Sequence, residues 1–90
     1  MTEKEIIQFE NLLFELKSIR TTKSNDYGNS WKVFGLIGII YQIGSKFIRI
    51  WNLKNKTPEN ESLRDSFRDG AIYNIMAMQL IDNKETEPKI

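Results

Sequence analysis

Residues 36–54 read LIGIIYQIGSKFIRIWNLK, and the folding of this stretch decides the architecture of the chain. At about 100° per residue, Leu36, Ile39, Ile40, Ile43, Phe47 and Ile50 share one broad face of a helix, and Ile37, Tyr41, Ile48 and Trp51 extend it around the other side. What stays polar is narrow: Gln42, Lys46 and Arg49, with Gly38 and Ser45 beside them. A helix apolar over more than half its circumference needs more partners than two short neighbours provide, so self-association is expected. A membrane span is not, because the apolar-rich run Val33 to Ile43 is too short and is interrupted by Gly35, Gly38 and Gln42.

Upstream of this helix, Gly35 and Gly38 weaken the pattern and predict a break or kink near Gly35. Ser30 is placed to cap a helical start, with Trp31 in its first turn. Before it, Asp26-Tyr27-Gly28-Asn29-Ser30-Trp31 packs a carboxylate, two aromatics, an amide, a hydroxyl and a glycine into six residues. A connector needs only a glycine and a polar residue or two to turn. The two aromatics predict a loop that packs back on the body or stacks on a flat ligand. At the N-terminus, Thr2 and Glu5 have capping-box spacing, and Ile6, Phe9, Leu13 and Leu16, widened by Leu12 and Ile19, continue as a helix to about Thr21. Residues 22–25 then read as a polar connector.

Downstream, residues 52–60 form a second connector, where Thr57 and Pro58 can open the next helix as cap and first position. The third helix, from Pro58 or Glu61 to Ile81, is expected to put Leu63, Phe67, Gly70, Ala71, Asn74, Ala77, Met78 and Ile81 on its core side. A separate line runs Glu61, Asp65, Asp69 and then Ile72 and Met76, changing from acidic to apolar as a pocket mouth leading into packing would. The expectation is therefore one all-α domain over residues 1–82, three helices with the second kinked, assembling as a dimer or tetramer. A flexible polar tail, 83–90, would follow. No β-hairpin pattern and no repeat is present.

Composition narrows the chemistry. Ninety residues with 40% hydrophobic and 28% charged content make one small globular domain. A net charge of +1 gives no general pull toward nucleic acid or anionic membrane, so a basic site must be local. The chain has no cysteine, hence no disulfide and no zinc-thiolate site, and no histidine, which excludes Ser-His and Cys-His nucleophiles. The polar, acidic N-terminus lacks the pattern of a signal peptide, so a cytoplasmic location is expected, that of the host if the chain is phage-encoded.

Three constellations remain. Glu61, Asp65 and Asp69 at i, i+4 and i+8 put carboxylates on one helical face, a ladder that suits Mg²⁺. Acids also belong in first helical turns, which accounts for Glu61, and Arg64 and Arg68 are spaced to pair with them. Asp65 and Asp69 stay as metal candidates, and Asp69 equally as half of a buried ion pair. Lys46 and Arg49 supply a compact charge and a forked donor, a pairing suited to the phosphates of a nucleotide. Against that, Arg49 can pair with Asp65 or Asp69. Tyr27, Trp31, Trp51 and Tyr73 can stack on a base; Trp51 reads as core or oligomer interface, Tyr27 and Tyr73 as the better stacking residues. No glycine-rich phosphate loop is present.

Taken together, the Asp26-to-Trp31 turn, Gly35, Lys46-Phe47-Ile48-Arg49, Glu61 and Asp69-Gly70-Ala71-Ile72-Tyr73 resemble the nucleotide-modification-associated domain family (first type) of phages and bacteria. The resemblance spans residues 20–82 and implies a nucleotide-linked role, with Asp26, Tyr27, Trp31, Lys46, Arg49, Asp69 and Tyr73 as ligand-binding candidates. The layout is also distantly similar to MazG-like all-α nucleoside triphosphate pyrophosphatases. The central helix, however, carries Gln42, Lys46 and Arg49 where those enzymes have their first acidic cluster. The leading expectation is a nucleotide-binding protein of phage type that needs no cofactor, one form being sequestration of a nucleotide immune signal. The alternatives are Mg²⁺-dependent hydrolysis of a nucleoside triphosphate and a ligand-free protein-interaction module.

Overall fold

A computed structural model describes residues 1–56 and 61–90, with the side chains of all of these except Asp26, Tyr27 and Glu61. The expected Thr57–Pro58 cap lies outside the described residues. The chain is all-α: helix α1 spans Glu3–Tyr27, a 3₁₀ turn spans Ser30–Lys32, α2 spans Gly35–Leu53 and α3 spans Glu61–Asp82. Among the described residues no strand occurs, and no helix is long and apolar enough to cross a membrane.

Helix α1 begins where its capping box predicts. Glu5 N–H donates to Thr2 Oγ1 at 3.1 Å, and Thr2 N–H donates to Glu5 Oε1 at 3.0 Å. It ends a turn and a half later than the sequence suggests. Thr22, Ser24 and Asn25 are poor helix formers but no obstacle, and the helix stops at the first residue free to take a positive φ, Gly28 (φ 59°), whose N–H reaches the Ser24 carbonyl at 2.8 Å. The break expected near Gly35 is present. Gly35 takes φ 62° between the 3₁₀ turn and α2.

After α3 the tail turns back onto the body. Lys84, at φ 55°, turns the chain after α3; its N–H reaches the Ile81 carbonyl and Glu85 N–H the Leu80 carbonyl, the paired bonds of a Schellman cap. The chain then runs back over the start of α2. Leu36 N–H, one of the donors a helix N-terminus leaves without an internal partner, binds the Thr86 carbonyl at 2.8 Å, and Lys89 N–H binds the Val33 carbonyl at 2.8 Å. A Cβ on Gly35 would collide with the backbone of Thr86 to Pro88. Lys32 adds an ion pair to Glu85 at 3.2 Å.

The core is small: Ile39 of α2 with Met76 and Leu80 of α3, and around them Trp31, Ile43, Ile72, Tyr73 and Ala77. Here the structure bears out part of the sequence reading, with Ile39, Ile43 and Ala77 in or around the core, and overturns the rest. On α3 the buried residues are Ser66, Met76 and Leu80, while Phe67, Met78 and Ile81 are exposed, as are Ala71 and Asn74. On α2 the narrow polar stripe faces α3. Arg49 Nε donates to Ser66 Oγ at 3.0 Å, and Lys46 Nζ lies 3.9 Å from Asp69 Oδ2. Of the broad apolar surface, Ile39 and Ile43 turn inward, while Ile37, Ile40, Tyr41, Phe47, Ile48 and Trp51 are exposed. Partners on α3 meet Lys46 and Arg49, so the pair closes on a hydrogen bond and an ion pair as well as on a thin apolar seam. Asn74, expected to be a buried amide in need of partners, sits at the surface with its amide on the Gly70 carbonyl at 2.8 Å.

Helix α1 is held to α3 by a forked pair, Arg64 to Glu15, with both bonds at 2.9 Å. Its first half projects, leaving Ile6, Ile7, Phe9, Leu12, Leu13 and Phe14 exposed. The radius of gyration is 14.7 Å, against about 12 Å for a compact 90-residue chain.

Candidate functional site

Because α1 touches α3 lightly, a crevice opens between them, closed at one end by the turn at residues 28–32. Part of it is a hollow of about 350 Å³. One wall comes from α3: Asp69, Ile72, Tyr73 and Met76, the line read from sequence as passing from an acidic mouth into packing, joined by its neighbour Tyr73. The opposite wall is Arg20 and Lys23 from the last turns of α1, and Gly28, Ser30 and Trp31 close the end.

Trp31 is the anchor. It is half-buried and rests on the Ile39, Met76 and Leu80 core. The Arg20 guanidinium lies 4.8 Å and the Lys32 ammonium 5.4 Å from its ring centroid, both within cation–π range. Arg20 makes no ion pair with a carboxylate among the described residues. Burial, reinforced by the Asp69 charge and opposed by Arg20, raises the Tyr73 phenol above its ordinary 10.0, so it remains protonated near neutral pH and offers a donor.

Asp69 sits between two cations. Arg68 Nε reaches its Oδ1 at 3.2 Å, and Lys46 stands 3.9 Å from Oδ2, an ion pair too long for a hydrogen bond. The same Arg68 reaches Asp65 Oδ1 at 3.1 Å. The two proposed metal ligands therefore converge on a guanidinium, and among the described residues no three carboxylates cluster as a metal site.

Of the residues singled out by sequence, Trp31, Asp69 and Tyr73 meet in the hollow. Lys46 joins them through Asp69, and Asp65 through Arg68. Arg49 lies behind the site on Ser66, with no ion pair to Asp65 or Asp69. The side chains of Asp26, Tyr27 and Glu61 lie outside the described residues. Trp51 joins neither hollow nor core. It is 59% exposed and stacks on Phe47 with ring centroids 6.4 Å apart.

Sequence reasoning missed Arg20 and Lys23, which fell where a helix end and a connector were expected. The signal was available: with α1 continued, Arg20, Lys23 and Tyr27 recur at i, i+3 and i+7 along one face.

With this geometry in view, the comparisons add a family. The family described as nucleotide modification associated domain 1 matches residues 23–81, and the chain belongs to it. The match takes in Trp31, Lys46, Arg49, Asp69 and Tyr73 but begins after Arg20. Neither a curated protein nor a solved structure matches the chain significantly.

Proposed function

We propose that the chain binds a nucleotide in the hollow at Trp31, holding it without turning it over, and that it does so as an assembly of identical copies. The observation that carries the reading is one 350 Å³ hollow lined by an indole, a phenol, a carboxylate and two cations, a volume within the range of small-ligand sites. In this reading the base stacks at Trp31 beside Tyr73, and Asp69 accepts an N–H of the base edge at Oδ2, where the Lys46 ion pair leaves hydrogen-bonding capacity. Arg20 and Lys23 counter phosphate charge. Lys46 steers Asp69, and Arg49 ties α2 to α3.

Binding without turnover is favoured because the lining groups hold and orient, and the chain has neither histidine nor cysteine to serve as base or nucleophile. Sequestration of a nucleotide, an immune signal included, is the form of activity this describes, and it suits the phage setting implied by the family resemblance.

Self-association is supported by surface area. The chain exposes 7072 Å², whereas a compact monomer of this size exposes roughly 5,500 Å². The excess, about 1,600 Å², is twice the roughly 800 Å² that each partner contributes to a standard interface. The occupant that answers this surface is a second copy of the chain, through the outward faces of α2 and α3 and the projecting half of α1.

Calorimetric titration against mono-, di-, tri- and cyclic nucleotides, with sedimentation on the same sample, tests the proposal. Saturable binding of at least one nucleotide, recovered intact, to a dimer or tetramer is expected. No binding across the panel would overturn the binding reading. Pyrophosphate release with Mg²⁺ would replace sequestration by hydrolysis, and a monomer at micromolar concentration would overturn the assembly.

A further inference from the structure

Beyond Arg20 and Trp31 lies a second hollow, of about 360 Å³. It shares those two residues with the first and differs in everything else. Its walls are hydroxyls and amides, Ser24, Asn29 and Asn83 among them, with Lys32 as a second cation. Among the described residues no carboxylate and no aliphatic side chain lines it. The first hollow, by contrast, is walled by Ile72, Tyr73 and Met76 and carries the negative charge of Asp69.

The two hollows ask for different chemistry. A flat, partly apolar group with an N–H edge suits the first, where a phosphate would meet Asp69. A group rich in hydroxyls and anionic oxygens suits the second, where side-chain amides and hydroxyls hydrogen-bond in both directions and two cations attract negative charge. Arg20, seated on the indole at the junction, belongs to both. Lys32 is held in place by the returning tail: Glu85 bonds it at 3.2 Å and is itself shared with Lys89 at 3.2 Å, so the three side chains together keep one net positive charge.

We infer that this polar hollow is a second subsite, taking the sugar–phosphate end of a nucleotide whose base lies in the first hollow, with Arg20 and Lys32 on the phosphate. The inference rests on the nucleotide reading and adds to it a direction: base toward Asp69 and Tyr73, phosphate toward Lys32 and the C-terminal end of α3. It assigns binding roles to Lys32, inside the family match, and to Asn83, just beyond it.

The test is calorimetry with the common nucleosides and their 5′-monophosphates against the intact chain and three variants. For the wild type, the best-bound monophosphate is expected to exceed its nucleoside by at least about tenfold. Lys32→Gln should weaken the monophosphate by about tenfold, about 1.4 kcal/mol, and leave the nucleoside unchanged. Asn83→Leu, at an exposed position, should weaken both nucleoside and monophosphate through the sugar. Glu85→Gln frees Lys32 from its partner while keeping its charge, and should preserve or strengthen monophosphate binding. If Glu85→Gln weakens it as much as Lys32→Gln does, Lys32 acts only through the tail and the subsite is overturned. Equal affinity for nucleoside and monophosphate, unmoved by all three variants, overturns the subsite and leaves nucleotide binding standing. Failure of every nucleoside and nucleotide to bind removes both readings.

Discussion

The two tryptophans of this chain each lie beneath a cation, yet they sit in opposite kinds of surroundings. Over Trp51 the cation is Lys54, 4.3 Å from the ring centroid, and the stacked neighbour is Phe47. These contacts link positions three and four apart, spacings that any helix brings together. Over Trp31, besides its neighbour Lys32, lies Arg20, eleven positions away in the last turns of another helix, and behind the ring lies the core of the molecule. The first arrangement follows from local spacing alone, whereas the second exists only if α1, the 28–32 turn and α3 converge. The difference teaches where to look for each proposed function: the walled indole is the candidate for a ligand site, and the open one lies on the face proposed to meet a second copy.

The largest expected effect comes from removing the support beneath Trp31. Leu80 is fully buried against it, so Leu80→Ala should cost about 2–5 kcal/mol in chemical denaturation. A cost below about 1 kcal/mol would mean that the Trp31 region does not rest on this core, and the contrast with Trp51 would collapse. Next comes Gly35→Ala. The new Cβ must displace the tail backbone and hold a left-handed φ, at about 1–3 kcal/mol. With each tryptophan replaced in turn by phenylalanine, emission from Trp31 should shift in this variant and emission from Trp51 should stay. A shift at Trp51 alone would break the account of the tail.

The smallest effect is on pH dependence. Lys89 and Lys32 hold the Glu85 carboxyl below its ordinary 4.5. Because the folded value is the lower one, the unfolded chain takes up the proton first. The stabilisation is therefore complete above the ordinary value and fades as the pH falls through the lowered one. Acid titration should move Trp31 emission in that window, and Glu85→Gln should abolish the step. Persistence of the step in that variant would assign it to another group.

Much of the fold is legible in the sequence, and the reasons for the remainder are specific. Thr2 with Glu5, the 3.6-residue periodicities and Gly35 announce three helices and a break. Which face of α2 meets α3 is not legible, because periodicity weighs apolar area and takes no account of Lys46 finding Asp69 or Arg49 finding Ser66 across a helix pair. An exposed apolar face looks in the sequence like a core face, which is why periodicity places Phe67, Met78 and Ile81 inside. The tail was read from its polarity, yet its backbone bonds to Val33 and Leu36 depend on no side chain at all. At the site, Trp31, Asp69 and Tyr73 stand out by type and spacing, whereas Arg20 becomes visible only when α1 is carried through the weak helix formers Thr22, Ser24 and Asn25 to Gly28.

The central claim, that the ligand of this chain is a nucleotide seated at Trp31, is tested most directly by fluorescence titration of two single-tryptophan proteins. In Trp51→Phe the remaining indole is Trp31, and in Trp31→Phe it is Trp51. Using the nucleotide that calorimetry shows to bind, the account predicts saturable quenching in Trp51→Phe and no change in Trp31→Phe, whose phenylalanine still stacks but whose reporter lies on the outer face of α2. Quenching that follows Trp51 instead, or saturation that leaves Trp31 emission untouched, would contradict it.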